Sequence, residues 1–179
     1  SNLVSSRKEE DIIEFTSGIL KNKTLGTPIS FLIRNKDFKK KDYGYIKNLF
    51  RPSHADFTYE KKYGIRDPYG GGRSSARETV CRVVAGALAS QFLKKRGLYI
   101  HSYVSSIGGV KLNKSYKDLD LSRIYENEIF CPDDTCALEM KKKIKEVKEM
   151  GNTIGGCVFT VINGVPIGLG QPLYNKLNA

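Results

Sequence analysis

Residues 74–96 hold the pattern that most constrains this chain. Val80, Val83, Val84, Ala87, Leu88 and Leu93 recur at helical spacing. Ser74 or Ser75 can cap the start, because a hydroxyl accepts from the free N–H groups of a first turn. Glu78 lies in that turn, where the helix dipole favours an acid. Lys94, Lys95 and Arg96 lie in the last turn, and Gly97 supplies the stop. Ala85, Gly86, Ala87 and Ala89 are small enough to let another element pack closely. The period then changes to two. Leu98, Ile100, Ser102 and Val104 alternate with Tyr99, His101 and Tyr103, up to Gly108-Gly109. A capped helix delivered directly into a strand predicts a fold that mixes α and β elements.

The other segments agree. Residues 11–20 read as a strand or an extended pair broken at Gly18. Residues 28–35 read as a strand, joined to the first by a turn around Gly26. Residues 133–150 form a second helix, with Asp133-Asp134 at its start and Gly151 at its end. Residues 157–162 are a strand, and Asn163-Gly164 is a turn. Residues 110–130 are polar and poorly patterned. Helices and strands alternate only partly, so the expected class is α+β and not a doubly wound parallel sheet. The 179 residues are expected to form one domain, with 1–3 matching the remnant of a cleaved tag. Cys81, Cys131, Cys136 and Cys157 have no metal-site spacing, and only two His accompany them, so reduced, partly buried thiols are expected. No apolar run reaches membrane-spanning length, and charge runs through the first fifteen residues, unlike a signal peptide.

The formal net charge is +11, which favours an anionic partner. Between residues 34 and 77 there are twelve lysines and arginines against five acids. Residues 37–72 read as a long basic loop with short helical turns. Its many Tyr and Phe residues argue against disorder. Lys39-Lys40-Lys41 is most simply a solvated tip. Arg51, Arg66, Arg73 and Arg77 are different, because a guanidinium is a planar two-pronged donor for phosphate or carboxylate. Gly70-Gly71-Gly72 followed by Arg73-Ser74-Ser75 at a helix start suits an anion: bare backbone, two hydroxyls and free N–H groups. The bland alternative is a glycine turn with a capping serine. His54 can act as an acid near neutrality or be a plain surface residue. Asp56 stands two residues on, where it could orient or tune His54. His101 is more simply read as structural.

Arg51-Pro-Ser-His-Ala-Asp-Phe-Thr-Tyr59, Lys62-Tyr-Gly-Ile-Arg-Asp67 and Gly70-Gly-Gly-Arg-Ser-Ser-Ala-Arg-Glu-Thr79 closely resemble the chorismate synthase family. The resemblance continues through Arg82–Ala87, Cys131-Pro-Asp133, Ile154-Gly-Gly156 and Pro166–Gly170 to Lys176-Leu177. It implies a β-α-β sandwich, with helices packed between antiparallel sheets, in a homotetramer. It implies a trans-1,4-elimination of phosphate from 5-enolpyruvylshikimate-3-phosphate to give chorismate, on the route to the aromatic amino acids. Reduced FMN is required without net redox change, and NADPH is a reductant in some members. By the resemblance, His54 is the acid, Arg73, Ser74 and Ser75 contact flavin, and Arg51 and Arg77 serve the substrate anion. The implied location is the cytoplasm, or a plastid in a plant-like source, with no membrane or nucleic-acid partner. Tyr69 stands where the family commonly has Arg. The family's Phe-Gly-Glu-Ser-His-Gly and Gly-Arg-His-Asp-Pro-Cys blocks are absent, so the chain reads as a central segment expected to lack turnover alone. Two alternatives stand beside this: a basic nucleic-acid-binding domain and a non-catalytic relative.

Overall fold

A computed structural model of the chain describes residues 3, 9–37, 40–69, 71 and 75–170. The chain divides into two compact units, Ser6–Ala87 and Leu88–Ala179 with Ser1–Ser5.

In the first unit, β1 (Ile13–Ser17) and β4 (Ser30–Ile33) pair antiparallel, with Phe15 opposite Phe31. This is the expected hairpin, but its connection is more than a turn at Gly26. Gly18 takes φ +79°, and a Cβ there would sit 2.6 Å from the Pro28 carbonyl oxygen, so only glycine fits. The bend inserts a second, two-residue hairpin, β2 (Ile19–Leu20) with β3 (Lys23–Thr24). Lys21 and Asn22 both have positive φ there, as a tight primed turn requires. The basic stretch holds a 3-10 turn at Lys40–Tyr43 and one eight-residue helix, α1 (Asp56–Tyr63).

Ser75 caps a 3-10 turn over Ala76–Glu78, its side chain accepting from the Arg77 N–H. The helix α2 (Thr79–Lys94) follows, starting later than its pattern predicts because that first turn is 3-10. It ends as expected. Gly97 is left-handed at φ +76°, and the Leu98 N–H returns to the Leu93 carbonyl at 3.1 Å. On the small-residue face Ala85, Ala87 and Ala89 are exposed among the described residues, and a Cβ built on Gly86 meets no atom within 4 Å.

In the second unit, β5 (Tyr99–Ile107) lies between β6 (Val110–Lys111) and β7 (Gly156–Asn163), all antiparallel. α3 (Asp134–Glu149) begins at Asp133, whose carboxylate accepts from the Cys136 N–H at 2.9 Å. Met140, Ala137 and Cys136 on α3 pack with Ile129, Cys131, Val104 and Ile107. The opposite face of the sheet buries Tyr103 and Val161 against Ile124. Ile124 is only 1% exposed and comes from the stretch that looked merely polar. A 3-10 turn at Leu121–Tyr125 places it, a period too short to show in the sequence. The Asn127 side chain holds the next bend, donating to the Cys131 carbonyl and accepting from the Ile129 and Cys131 N–H groups. All four cysteines are free, with Cys131 and Cys136 buried and Cys81 and Cys157 exposed. Among the described residues no helix is long and apolar enough to cross a membrane.

Candidate functional site

The basic stretch of the first unit folds around one carboxylate. Asp56, the first residue of α1, is the one buried charged residue among those described, at 2% exposure. Its Oδ2 accepts from the Arg51 backbone N–H at 3.1 Å and from Arg51 Nε at 2.8 Å. Its Oδ1 accepts from Arg51 Nη2 at 2.9 Å. This is the two-pronged geometry that makes guanidinium–carboxylate pairs strong.

Gly64 in the left-handed conformation ends α1 and reverses the chain, so that Arg66 returns to its start. Arg66 Nη1 lies 3.7 Å from Asp56, and Nε lies 2.9 Å from Glu60. Its Nη2 donates to the Lys47 and Leu49 carbonyls at 2.8 and 2.9 Å. The guanidinium sits over the Phe50 ring, which meets Phe57 edge-on. Charge and aromatic contact thus replace an aliphatic core here. The Arg51 hydrogen bonds, first among several causes, hold the Asp56 carboxyl well below the usual carboxylate range, and burial opposes them. Asp56 is therefore ionised throughout the neutral range.

His54 is exposed on the turn between Arg51 and α1. Its Nδ1 lies 2.8 Å from the Pro52 carbonyl oxygen, and its N–H donates to the Arg51 carbonyl at 3.3 Å. Asp56 pairs with the arginines and does not orient His54 by a direct bond, as the two-residue spacing had allowed.

Arg77 belongs to a different group. Its Nη2 lies 2.6 Å from Asp11 and 3.5 Å from Glu9, and donates to the Arg34 carbonyl at 3.3 Å. Ser75 is the cap just before it. Gly71 lies against Asp67, where a Cβ would collide with the carboxylate, and the Tyr69 N–H donates to that Asp67 side chain at 2.8 Å. Arg73 and Ser74 lie outside the described residues, as do Gly70 and Gly72.

Arg34 is paired as well, with Glu14 at 3.0 Å. Each arginine described between residues 34 and 77 therefore already holds a carboxylate. A guanidinium has five N–H donors, and Asp56 uses two of those on Arg51, so that residue keeps donors for a second anion. The pairing of Arg66 and Asp56 is what the sequence reading missed, since it took Arg66 as a donor for an outside anion and Asp56 as a partner of His54. Their only outward signal was an acid inside a basic, aromatic run.

Comparison with known proteins resolves the assignment in two steps. At TM-score 0.70 and 32% identity, the fold matches a solved structure described as a crystal structure of chorismate synthase, over 89% of this chain and 46% of that one. The chain thus has an α+β fold shared with that structure. A family model described as chorismate synthase matches residues 1–179, and the chain belongs to the chorismate synthase family. It is 55% identical to the chorismate synthase of Christiangramia forsetii and 56% identical to that of Phocaeicola vulgatus. In both cases all of this chain is covered, and it spans half the length of the relative.

Proposed function

We propose that this chain is the part of a chorismate synthase that carries the Arg51–Tyr59 turn and the start of α2. The full enzyme would eliminate phosphate from 5-enolpyruvylshikimate-3-phosphate to form chorismate, a carbon–oxygen lyase reaction of aromatic amino acid biosynthesis. The observation that carries the reading is the family match over all 179 residues, with those motifs inside it.

The chemistry of the residues fits the ligands. The substrate carries a phosphate and two carboxylates, and FMN carries a phosphate. Asp56 takes two of the five N–H donors of the Arg51 guanidinium, and the others can hold a substrate anion. The departing phosphate gains charge as it leaves, so a fixed cation favours the transition state over the ground state. His54 is exposed on the same turn, and its ring can deliver a proton at Nε2. Ser75 stands at the start of the turn leading into α2, and together with Arg73 and Ser74 it suits the flavin side. Reduced FMN, when bound, lends electron density to the elimination and recovers it, leaving no net redox change. Arg77 is assigned to the substrate side, where its pairs with Asp11 and Glu9 would orient it.

The working enzyme is a cytoplasmic homotetramer in this reading, with flavin reduced from outside or by NADPH. The family match over all 179 residues favours this reading over the nucleic-acid alternative. The test joins this segment to the remaining half of its relatives' sequence. Chorismate formation is then measured anaerobically with reduced FMN, beside the 179-residue chain alone. Turnover is expected only from the longer chain. A longer chain that binds flavin but forms no chorismate refutes the proposal and favours the non-catalytic relative.

A further inference from the structure

The His54 turn is held in an unfavourable backbone conformation by groups that do not touch the ring. Ser53 has φ +60°, a left-handed conformation that residues other than glycine rarely take. That bend folds the His54 ring back onto the Pro52 carbonyl at 2.8 Å. A carbonyl oxygen only accepts, so the proton of the neutral ring must sit on Nδ1, and Nε2 is the nitrogen that exchanges protons. Burial does not hold the ring, because His54 is exposed.

A strained residue persists only where its surroundings over-determine it. Here the surroundings are the Asp56 carboxylate. It grips Arg51 by the backbone N–H and by two prongs of the guanidinium, closing the turn from the first residue of α1. Arg66 braces the same carboxylate and ties it to the carbonyls of Lys47 and Leu49 in the turns that lead into this stretch.

We infer that Asp56 is a positioning residue for His54: by locking Arg51 it holds the Ser53 bend, and so selects the ring tautomer that leaves Nε2 free for proton transfer. This rests on the reading of His54 as the acid, and the experiment separates the two. Asp56→Asn and His54→Ala are made in the full-length chain, and nitrogen NMR of the neutral His54 ring is recorded beside steady-state kinetics.

The unsubstituted ring is expected to show the Nδ1–H tautomer alone. In Asp56→Asn both tautomers are expected, with kcat about tenfold lower, a part of the roughly 10²–10⁴-fold that a positioned acid supplies, and KM changed less than about threefold. Loss of activity in His54→Ala, together with a single tautomer or an unchanged kcat in Asp56→Asn, overturns the inference and spares the acid. Full activity in His54→Ala instead overturns the acid reading itself. Should Asp56→Asn not fold, Asp56→Glu makes the same test with the charge moved by one methylene. Failure of both to fold makes Asp56 a requirement of the fold, and the inference falls.

Discussion

Replacing Arg66 by Met tests whether the basic turn is built on ion pairs. The Arg66 side chain is 8% exposed, and its guanidinium is used four ways: toward Asp56 at 3.7 Å, Glu60 at 2.9 Å, and the carbonyls of Lys47 and Leu49. Methionine keeps much of the stem and the contact with Phe50 but none of the donors. Two carbonyls lose a charged donor, and a buried carboxylate loses one of its two cations. Breaking a buried pair from one side costs about 3–5 kcal/mol. Arg51 remains on Asp56, so the low end, about 3 kcal/mol, is the expectation here. With a urea slope near 2 kcal/mol per M, the midpoint falls by about 1.5 M. The matched control is Arg34→Met. Its pair with Glu14, at a similar 3.0 Å, has side chains 64% and 46% exposed. Water and salt screen such a pair, so no measurable shift is expected there.

Urea unfolding of both variants, followed by amide exchange on α1, makes the measurement. In Arg66→Met the α1 amides should lose protection first, because the helix is short and its start has no side-chain cap. Equal midpoints for the two variants would refute the idea that burial, and not pair count, gives these guanidiniums their weight.

Other consequences can be measured directly. The folded carboxyl of Asp56 lies below its ordinary value of 3.8, so its contribution is complete above about pH 4 and is lost as pH falls further. The acid-side loss of stability should therefore be smaller in Asp56→Asn. Met140 is fully buried on α3, and Met140→Ala should lower stability by about 2–5 kcal/mol, whereas Met150→Ala, at a 74% exposed site, should leave it unchanged. Burial pushes the Cys136 thiol up to about 11, so iodoacetamide at pH 8 should label Cys81 and Cys157 while Cys136 reacts only after unfolding. Tyr69→Arg in the full-length chain should raise kcat/KM if the family's usual cation helps hold the anions; an unchanged value would show that Tyr69 is tolerated.

What could be read from the sequence was whatever repeats. α2, α3 and β5 each set apolar residues at a constant period, β7 is a short, nearly unbroken apolar run, and Gly97 and Asp133 mark ends by chemistry that acts on adjacent residues. Ile124 has no such period around it, yet it is among the most buried side chains. Gly18 shows the same limit from the other side: its turn is set by how close Pro28 comes, ten residues away in sequence.

The arginines teach a further point. Fork geometry suits phosphate and carboxylate alike, so residue type alone could not say which anion each one holds. Counting charge between residues 34 and 77 made the stretch look strongly unbalanced. The count omitted Glu9, Asp11 and Glu14, which lie upstream and fold back onto Arg77 and Arg34. It also gave Asp56 no more weight than any other acid, although one buried carboxylate with two guanidiniums organises the turn. A basic stretch is therefore a site only to the extent that its cations keep donors after the protein's own acids are satisfied. Under the proposal Arg51 is the cation to which that condition applies, since Asp56 takes two of its five donors on the turn that carries His54.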